Sequence, residues 1–257
     1  MTLIQNQIVL VTGASSGIGA ACAKAFAAAG AKLILAARRI ERLEQLAAEL
    51  TKEFGTQIYQ LKLDVRDRAQ IESTLKNLPE TWTSIDLLIN NAGLSRGLDK
   101  LYEGNIQDWE EMIDTNIKGL LYITRYLVPG MVERGRGHIV NIGSIAGHET
   151  YPRGNVYCAS KAAVRAISTG LKQDLLGTPI RVTSVDPGLV ETEFSQVRFH
   201  GNVDQAKTVY QDLTPLSPED VADVVLFCAT RPAHVNISEV LVLPTDQSGA
   251  TLVHRHR

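Results

Sequence analysis

Short apolar runs alternate with longer stretches whose apolar positions recur at helical spacing, from one end of the chain to the other. The short runs predict strands at Ile8–Thr12, Lys32–Ala36, Gln57–Lys62, Asp86–Asn90, His138–Ile142, Arg181–Asp186 and Glu239–Leu243. Several are nearly continuous in apolar residues, as strands covered on both faces should be. The stretches between them predict helices at about Gly17–Ala29, Glu41–Glu53, Arg68–Leu78, Ile106–Arg134, Val156–Leu176 and Pro218–Cys228. Strand and helix in strict alternation describe βαβ units, so the expected class is α/β: a doubly wound parallel sheet of about seven strands flanked by helices. No repeat, low-complexity tract or Pro/Gly-rich linker divides the chain, and residues 1–257 are expected to form a single domain. Two segments break the rhythm. Leu94–Asn105 is a glycine-containing loop after the fourth strand, and Leu189–Pro218 is too long for a simple connection. Ligands sit at the C-terminal ends of strands in this architecture, so residues 189–218 are expected to form a partly helical substrate lid.

Composition narrows the function class. A net charge of −2 argues against a nucleic-acid partner or an anionic membrane surface, and no apolar run is long enough to cross a bilayer. Met1–Gln7 lacks the basic, apolar and small-residue order of a secretory signal. Three widely spaced cysteines, Cys22, Cys158 and Cys228, form no metal-binding pattern; they fit a reducing, cytoplasmic setting, and no metal is expected. Cys158 beside Tyr157 reads as an ordinary helix residue rather than a reactive thiol. His254-Arg255-His256-Arg257 spaces its histidines poorly for chelation and reads as a plain tail.

Thr12-Gly13-Ala14-Ser15-Ser16-Gly17-Ile18-Gly19 follows a strand and opens a helix. Gly13 permits a tight turn, Gly17 lets a pyrophosphate approach the backbone, and Gly19 lets the helix pack close to the sheet. The helix N-terminus, with Ser15, Ser16 and Ile18 beside it, then offers amides and a positive dipole end to an anion. A glycine turn serving packing alone is the competing reading. The second strand ends in Ala36-Ala37-Arg38-Arg39, where an NAD site would carry an acid for the ribose hydroxyls. Arg38 and Arg39 can instead clasp a 2′-phosphate, with Ser15 adding a hydroxyl, which points to NADP. The alternative, that they merely decorate the next helix start, sets cations at a positive dipole end.

Tyr157 and Lys161 are four residues apart, one turn along a single helical face. A lysine beside a phenol favours the phenolate and can lower a tyrosine pKa from its usual value of about 10. Such a phenol exchanges protons near neutral pH, as carbonyl reduction or alcohol oxidation requires. Ser144 lies thirteen residues upstream, after the fifth strand.

The Gly-x-x-x-Gly-x-Gly spacing, Asn90-Asn91-Ala92-Gly93, Ser144, Tyr157 with Lys161, and Pro187-Gly188 together resemble the short-chain dehydrogenase/reductase family, over about Ile8–Leu243. That resemblance implies a Rossmann-like fold and a set of roles. Ser144 bonds the substrate oxygen, Tyr157 transfers the proton, Lys161 holds the nicotinamide ribose and depresses the Tyr157 pKa, and Asn116 holds a relay water. It also implies cofactor contacts from Asp64 and Val65 (adenine), from Asn91, Ala92 and Gly93, and from Pro187, Gly188, Val190 and Thr192 near the carboxamide. Homotetramers built on helices Ile106–Arg134 and Val156–Leu176 are common in the family. Leu35–Arg39, Glu193–Phe199 and Pro244-Thr245-Asp246-Gln247 resemble the NADP-dependent 3-hydroxy acid dehydrogenase subgroup, which oxidises serine, L-allo-threonine and related acids such as 3-hydroxyisobutyrate. A substrate carboxylate then needs a partner: Arg198 in the expected lid is the first candidate, with Arg153 and Arg96 as alternatives. Two other readings stand beside this one. The first is a broad NADPH carbonyl reductase for ketones or β-keto esters. The second is a dinucleotide-sensing protein without catalysis, which an intact Asn116, Ser144, Tyr157 and Lys161 argues against.

Overall fold

The computed structural model describes residues 4–256; Met1–Leu3 of the N-terminal segment and Arg257 of the tail lie outside the described residues. Seven strands, β1 (Ile8–Thr12), β2 (Lys32–Ala37), β3 (Ile58–Lys62), β4 (Leu87–Asn90), β5 (Gly137–Ile142), β6 (Ile180–Pro187) and β7 (Glu239–Val242), form one parallel sheet in the order β3-β2-β1-β4-β5-β6-β7. β1 is the hinge of this order. Val9 pairs with Leu33 of β2 on one side and with Leu87 of β4 on the other. The order reverses there, and such a reversal opens a crevice at the C-terminal ends of the strands.

Alternation along β1 serves both faces of the sheet. Val9 and Val11 join a core with Cys22 and Phe26 of α1 (Gly17–Ala28). Leu10 faces the opposite core, with Ile71, Ile123 and Met131. All of β1 is buried, which explains its unbroken apolar run. The remaining helices are α2 (Ile40–Phe54), α3 (Arg68–Lys76), α4 (Ile106–Ile113), α5 (Leu120–Arg134), α6 (Asn155–Asp174), α7 (Phe194–Arg198), α8 (Val203–Thr208) and α9 (Pro218–Ala229). Several cap with an acceptor side chain: Asp67 accepts from Gln70 N before α3, and Ser217 forms a reciprocal capping box with Asp220 before α9.

The expected helix Ile106–Arg134 is not one regular helix. A π-helical turn, Asp114–Gly119, separates α4 from α5. Such wide turns are rare and recur at functional positions. The helix expected over Arg68–Leu78 ends at Lys76, with Asn77 as its cap. Residues 189–218 are partly helical, carrying α7 and α8, and two short 3-10 turns, Glu80–Trp82 and Ile145–Gly147, complete the chain path.

Candidate active site

A cavity of about 520 Å³ runs along the C-terminal ends of the central strands. Ser15, Ser16, Arg38 and Arg39 lie at its outer end, and Ser144, Tyr157, Lys161 and Arg198 line its inner end. Two glycines shape the outer turn. Gly13 and Gly17 have φ of +65° and +53°, a region side-chain-bearing residues rarely adopt. Gly19 does not reach the cavity: a side-chain carbon there would fall 2.5 Å from the Gly13 carbonyl oxygen, so its role is to seat α1 under the turn. Asn91 braces the same turn, its Nδ2 donating to the Thr12 and Gly13 carbonyls at 2.9 and 3.2 Å. The Asn91 and Ala92 amides both donate to Thr12 Oγ1 at 3.0 Å.

Arg39 is held by hydroxyls. Its Nε and Nη2 donate to Ser15 Oγ at 3.2 and 3.1 Å, and Nη2 donates to Ser16 Oγ at 2.8 Å. Its Nη1 pairs with Glu193 at 3.0 Å, and Arg42 pairs with the same carboxylate at 2.7 Å. Arg38 is exposed at the cavity edge. Asp64 and Val65 line this end as well, with Asp64 engaged by Arg66 at 2.6 Å. Guanidinium groups, hydroxyls and the first turn of α1 make a donor set suited to a phosphate dianion.

The inner end is built from buried side chains. Tyr157 and Lys161 lie on α6, and Lys161 is 6 % exposed. Lys161 Nζ donates to the Ile142 carbonyl at 2.8 Å, and the Ser144 side chain lies near enough to Tyr157 to favour its ionised form. Ser144 also accepts from Ala146 N at 3.1 Å, opening the 3-10 turn that presents it. Asn116 sits in the π turn, behind the cavity lining. Its Oδ1 accepts from Leu94 N at 2.8 Å, and its Nδ2 donates to the Leu94 carbonyl at 2.8 Å and to Ser160 Oγ at 2.9 Å. The distance from a notional side-chain carbon at Gly93 is 3.3 Å to Asn116 Oδ1 and 3.6 Å to Lys161 Nζ, so Gly93 gives both polar ends access to one space. Ala92, Pro187, Gly188, Val190 and Thr192 complete the lining between the two ends.

Electrostatically, the pair departs from the expectation that Lys161 lowers Tyr157. Burial pushes the Tyr157 phenol above its ordinary value, and the opposing influences are the Arg198 guanidinium and the Ser144 side chain. Lys161 Nζ stands 6.0 Å from the Tyr157 ring centroid, and desolvation pulls its own pKa down to about 8.

The three candidate carboxylate partners separate clearly. The Arg198 guanidinium lies 5.3 Å from the ring centroids of both Tyr157 and Phe194, inside the cavity, and its Nη2 donates to Tyr151 Oη at 3.0 Å. Its buried Nε makes no hydrogen bond. Arg96 is committed elsewhere, to Glu111 at 2.8 Å and to the Val197 carbonyl at 2.6 Å. Arg153 is exposed, in a left-handed backbone conformation at φ +67°. Arg96 and Arg153 border a separate hollow of about 20 Å³ instead of the main cavity. Sequence reasoning missed Tyr151 and Phe194 around Arg198, and Arg42 with Glu193 at the outer end. Pairing to a distant arginine leaves no local sequence signal for Glu193. Gln247, seen only as part of a resembling stretch, is buried and its Oε1 accepts from Leu189 N at 2.8 Å, tying the C-terminal segment to the cavity floor. Cys158 is buried beside Tyr157, and burial pushes its thiol up, away from reactivity.

Comparison with known proteins agrees with this arrangement. The family model for short chain dehydrogenase matches residues 7–202. The chain is similar to an NADP-dependent 3-hydroxy acid dehydrogenase of Shigella flexneri, at 52 % identity over 250 residues, covering 96 % of this chain and 99 % of that one. A protein of the same description from Schizosaccharomyces pombe is 46 % identical over 256 residues, 99 % of each chain. Among solved structures, the closed form of serine dehydrogenase complexed with NADP+ superposes with a TM-score of 0.91 at 51 % identity, covering 97 % of this chain and 100 % of that one. The glycine turn at the sheet reversal, the Tyr157–Lys161 helix and these matches lead to one conclusion: the chain belongs to the short-chain dehydrogenase family.

Proposed function

We propose that this protein is an NADP(H)-dependent dehydrogenase that oxidises the 3-hydroxyl of small 3-hydroxy acids, of the serine, L-allo-threonine and 3-hydroxyisobutyrate type, or reduces the matching carbonyl. The outer donor set supports the cofactor: Arg38, Arg39, Ser15 and Ser16 suit a 2′-phosphate, and no acid ends β2 to favour bare ribose hydroxyls. NADP, when bound, supplies the hydride acceptor or donor. In oxidation, the substrate hydroxyl gives its proton to the Tyr157 phenolate oxygen while Ser144 Oγ bonds the same substrate oxygen; in reduction the Tyr157 phenol, the form burial favours, returns it. Lys161 keeps a positive charge near that transfer, and Asn116 ties the π turn to Leu94 and Ser160 beside it. Arg198 binds the substrate carboxylate, and residues 189–218 cover the site as a lid. The observation that carries the substrate class is the Arg198 guanidinium, 5.3 Å from the Tyr157 ring with a buried donor unmatched.

The test is cofactor reduction with L-serine, L-allo-threonine, 3-hydroxyisobutyrate and a neutral secondary alcohol, for the wild type and Arg198→Ala. A charged hydrogen bond is worth about 1.5–3 kcal/mol, so KM for the acids should rise roughly ten- to hundredfold. The neutral alcohol should change little. Equal losses on both would sink the carboxylate assignment. Family resemblance supports a homotetramer, and exposed apolar side chains on α4 and α5 (Ile113, Leu121 and Val132) are suited to such an interface; sedimentation tests it. Three free, buried cysteines among the described residues suit a reducing cytoplasm.

A further inference from the structure

One buried acid has no part in the chemistry above. Asp186, near the end of β6, is 1 % exposed. Its Oδ1 accepts from Ser184 Oγ at 2.6 Å, and its Oδ2 meets His148 Nε2 at 2.7 Å. A side-chain carbon at Gly143 would overlap Asp186 Oδ1, so the carboxylate rests directly on the backbone between Ile142 and Ser144. The Ile142 carbonyl is the acceptor that holds Lys161 Nζ, and His148 caps the 3-10 turn that Ser144 opens. The carboxylate therefore packs against the backbone segment that carries Ser144 and supplies the acceptor of Lys161. A buried carboxylate is costly unless a cation and hydrogen bonds compensate it. Desolvation drives Lys161 down, and Asp186 is the charge that opposes it.

On its outer side Asp186 connects to the surface. His148 Nδ1 lies 3.8 Å from Glu239 of β7, and Glu239 pairs with Arg165 of α6 at 2.9 Å. Donor atoms of His148, Asp186 and Glu239 gather within 4.8 Å, but the Arg165 guanidinium already pairs with Glu239, so the group reads as a chain of paired polar groups and not a cation site. Facing Lys161 and its partner are thus Asp186 from β6, Tyr157 from its own helix, His148 from the turn, and Glu239 with Arg165 beyond.

We propose that Asp186 is a positioning residue for the reaction: pinned by His148 and Ser184, its carboxylate is the counter-charge that keeps Lys161 an ammonium and seats the turn carrying Ser144. The inference rests on reading Tyr157 and Lys161 as the proton-transfer pair. Its test needs neither substrate nor cofactor, so it fails separately from the substrate assignment. The titration of Lys161 is followed by NMR in protein isotopically labelled at lysine Cε, with the signal assigned by its loss in Lys161→Arg. Asp186→Asn should lower the Lys161 midpoint by about one pH unit or more, the size expected when a nearby opposite charge is removed. Asp186→Glu keeps the charge and should hold the midpoint within about half a unit. An unmoved midpoint in Asp186→Asn overturns the proposal. If that variant does not fold, a fall of about one unit or more in Asp186→Glu overturns it equally.

Discussion

The two ends of the cavity solve opposite electrostatic problems. At the outer end, Arg39 and Glu193 keep about two-fifths of their side chains in water, and their ion pair is held in a high-dielectric setting. At the inner end, Lys161 and Asn116 are buried, and every bond they make is to backbone or to a fixed hydroxyl. Exposed pairs of this kind contribute little to stability and are screened by salt, so the outer end can recognise an anion without being rigid. Buried groups shift their proton affinities and tolerate little rearrangement, so the inner end sets the chemistry. Recognition and reactivity are therefore separable by experiment.

Tyr157→Phe should produce the largest effect. Losing the oxygen proposed to transfer the proton should cut turnover roughly 10²- to 10⁴-fold, while nucleotide affinity, read by fluorescence of the bound reduced cofactor, stays near wild type. A parallel loss of nucleotide binding would erase the separation between the ends. Arg39→Ala attacks the other end. It should raise KM for NADP roughly tenfold, leave KM for NAD nearly unchanged and spare kcat, since a charged hydrogen bond at an exposed site sits near the low end of its range. Added salt should move KM for NADP in the same direction without touching kcat, and steady-state kinetics at two ionic strengths measures both. The smallest effect belongs to a site at neither end. Ser217→Ala removes the reciprocal cap of α9 and should cost about 1 kcal/mol, lowering Tm by roughly 2–4 °C with unchanged kcat and KM.

The same division explains what the sequence made legible. The central strands were legible because burial on both faces of a parallel sheet leaves few polar positions, β1 being the extreme case, whereas the edge strands β3 and β7 are only partly buried. The turn from Gly13 and the Tyr157–Lys161 spacing were legible because local backbone geometry dictates them. The π turn was not, since its extra residue leaves the apolar rhythm from Ile106 to Arg134 unbroken to inspection. Three arginines looked alike as carboxylate partners. Only the fold shows Arg96 spent on Glu111 and Arg198 facing Tyr157. The pairing of His148 with Asp186 bridges thirty-eight positions, beyond any local pattern.

The sheet order has a consequence for how the chain is made. Thr12 Oγ1 donates to the Ile89 carbonyl across 77 residues, and Asn91 fastens the Gly13 turn across 78. On a ribosome, the first strand, its helix and the second strand emerge long before either fastening exists. The glycine turn is therefore among the earliest segments synthesised and among the later ones completed, waiting on loop closure to the fourth strand. Until then, β1 presents an unpaired edge of backbone donors and acceptors on a largely apolar strand, which makes the first ninety or so residues of a nascent chain a stretch in need of a chaperone's shelter.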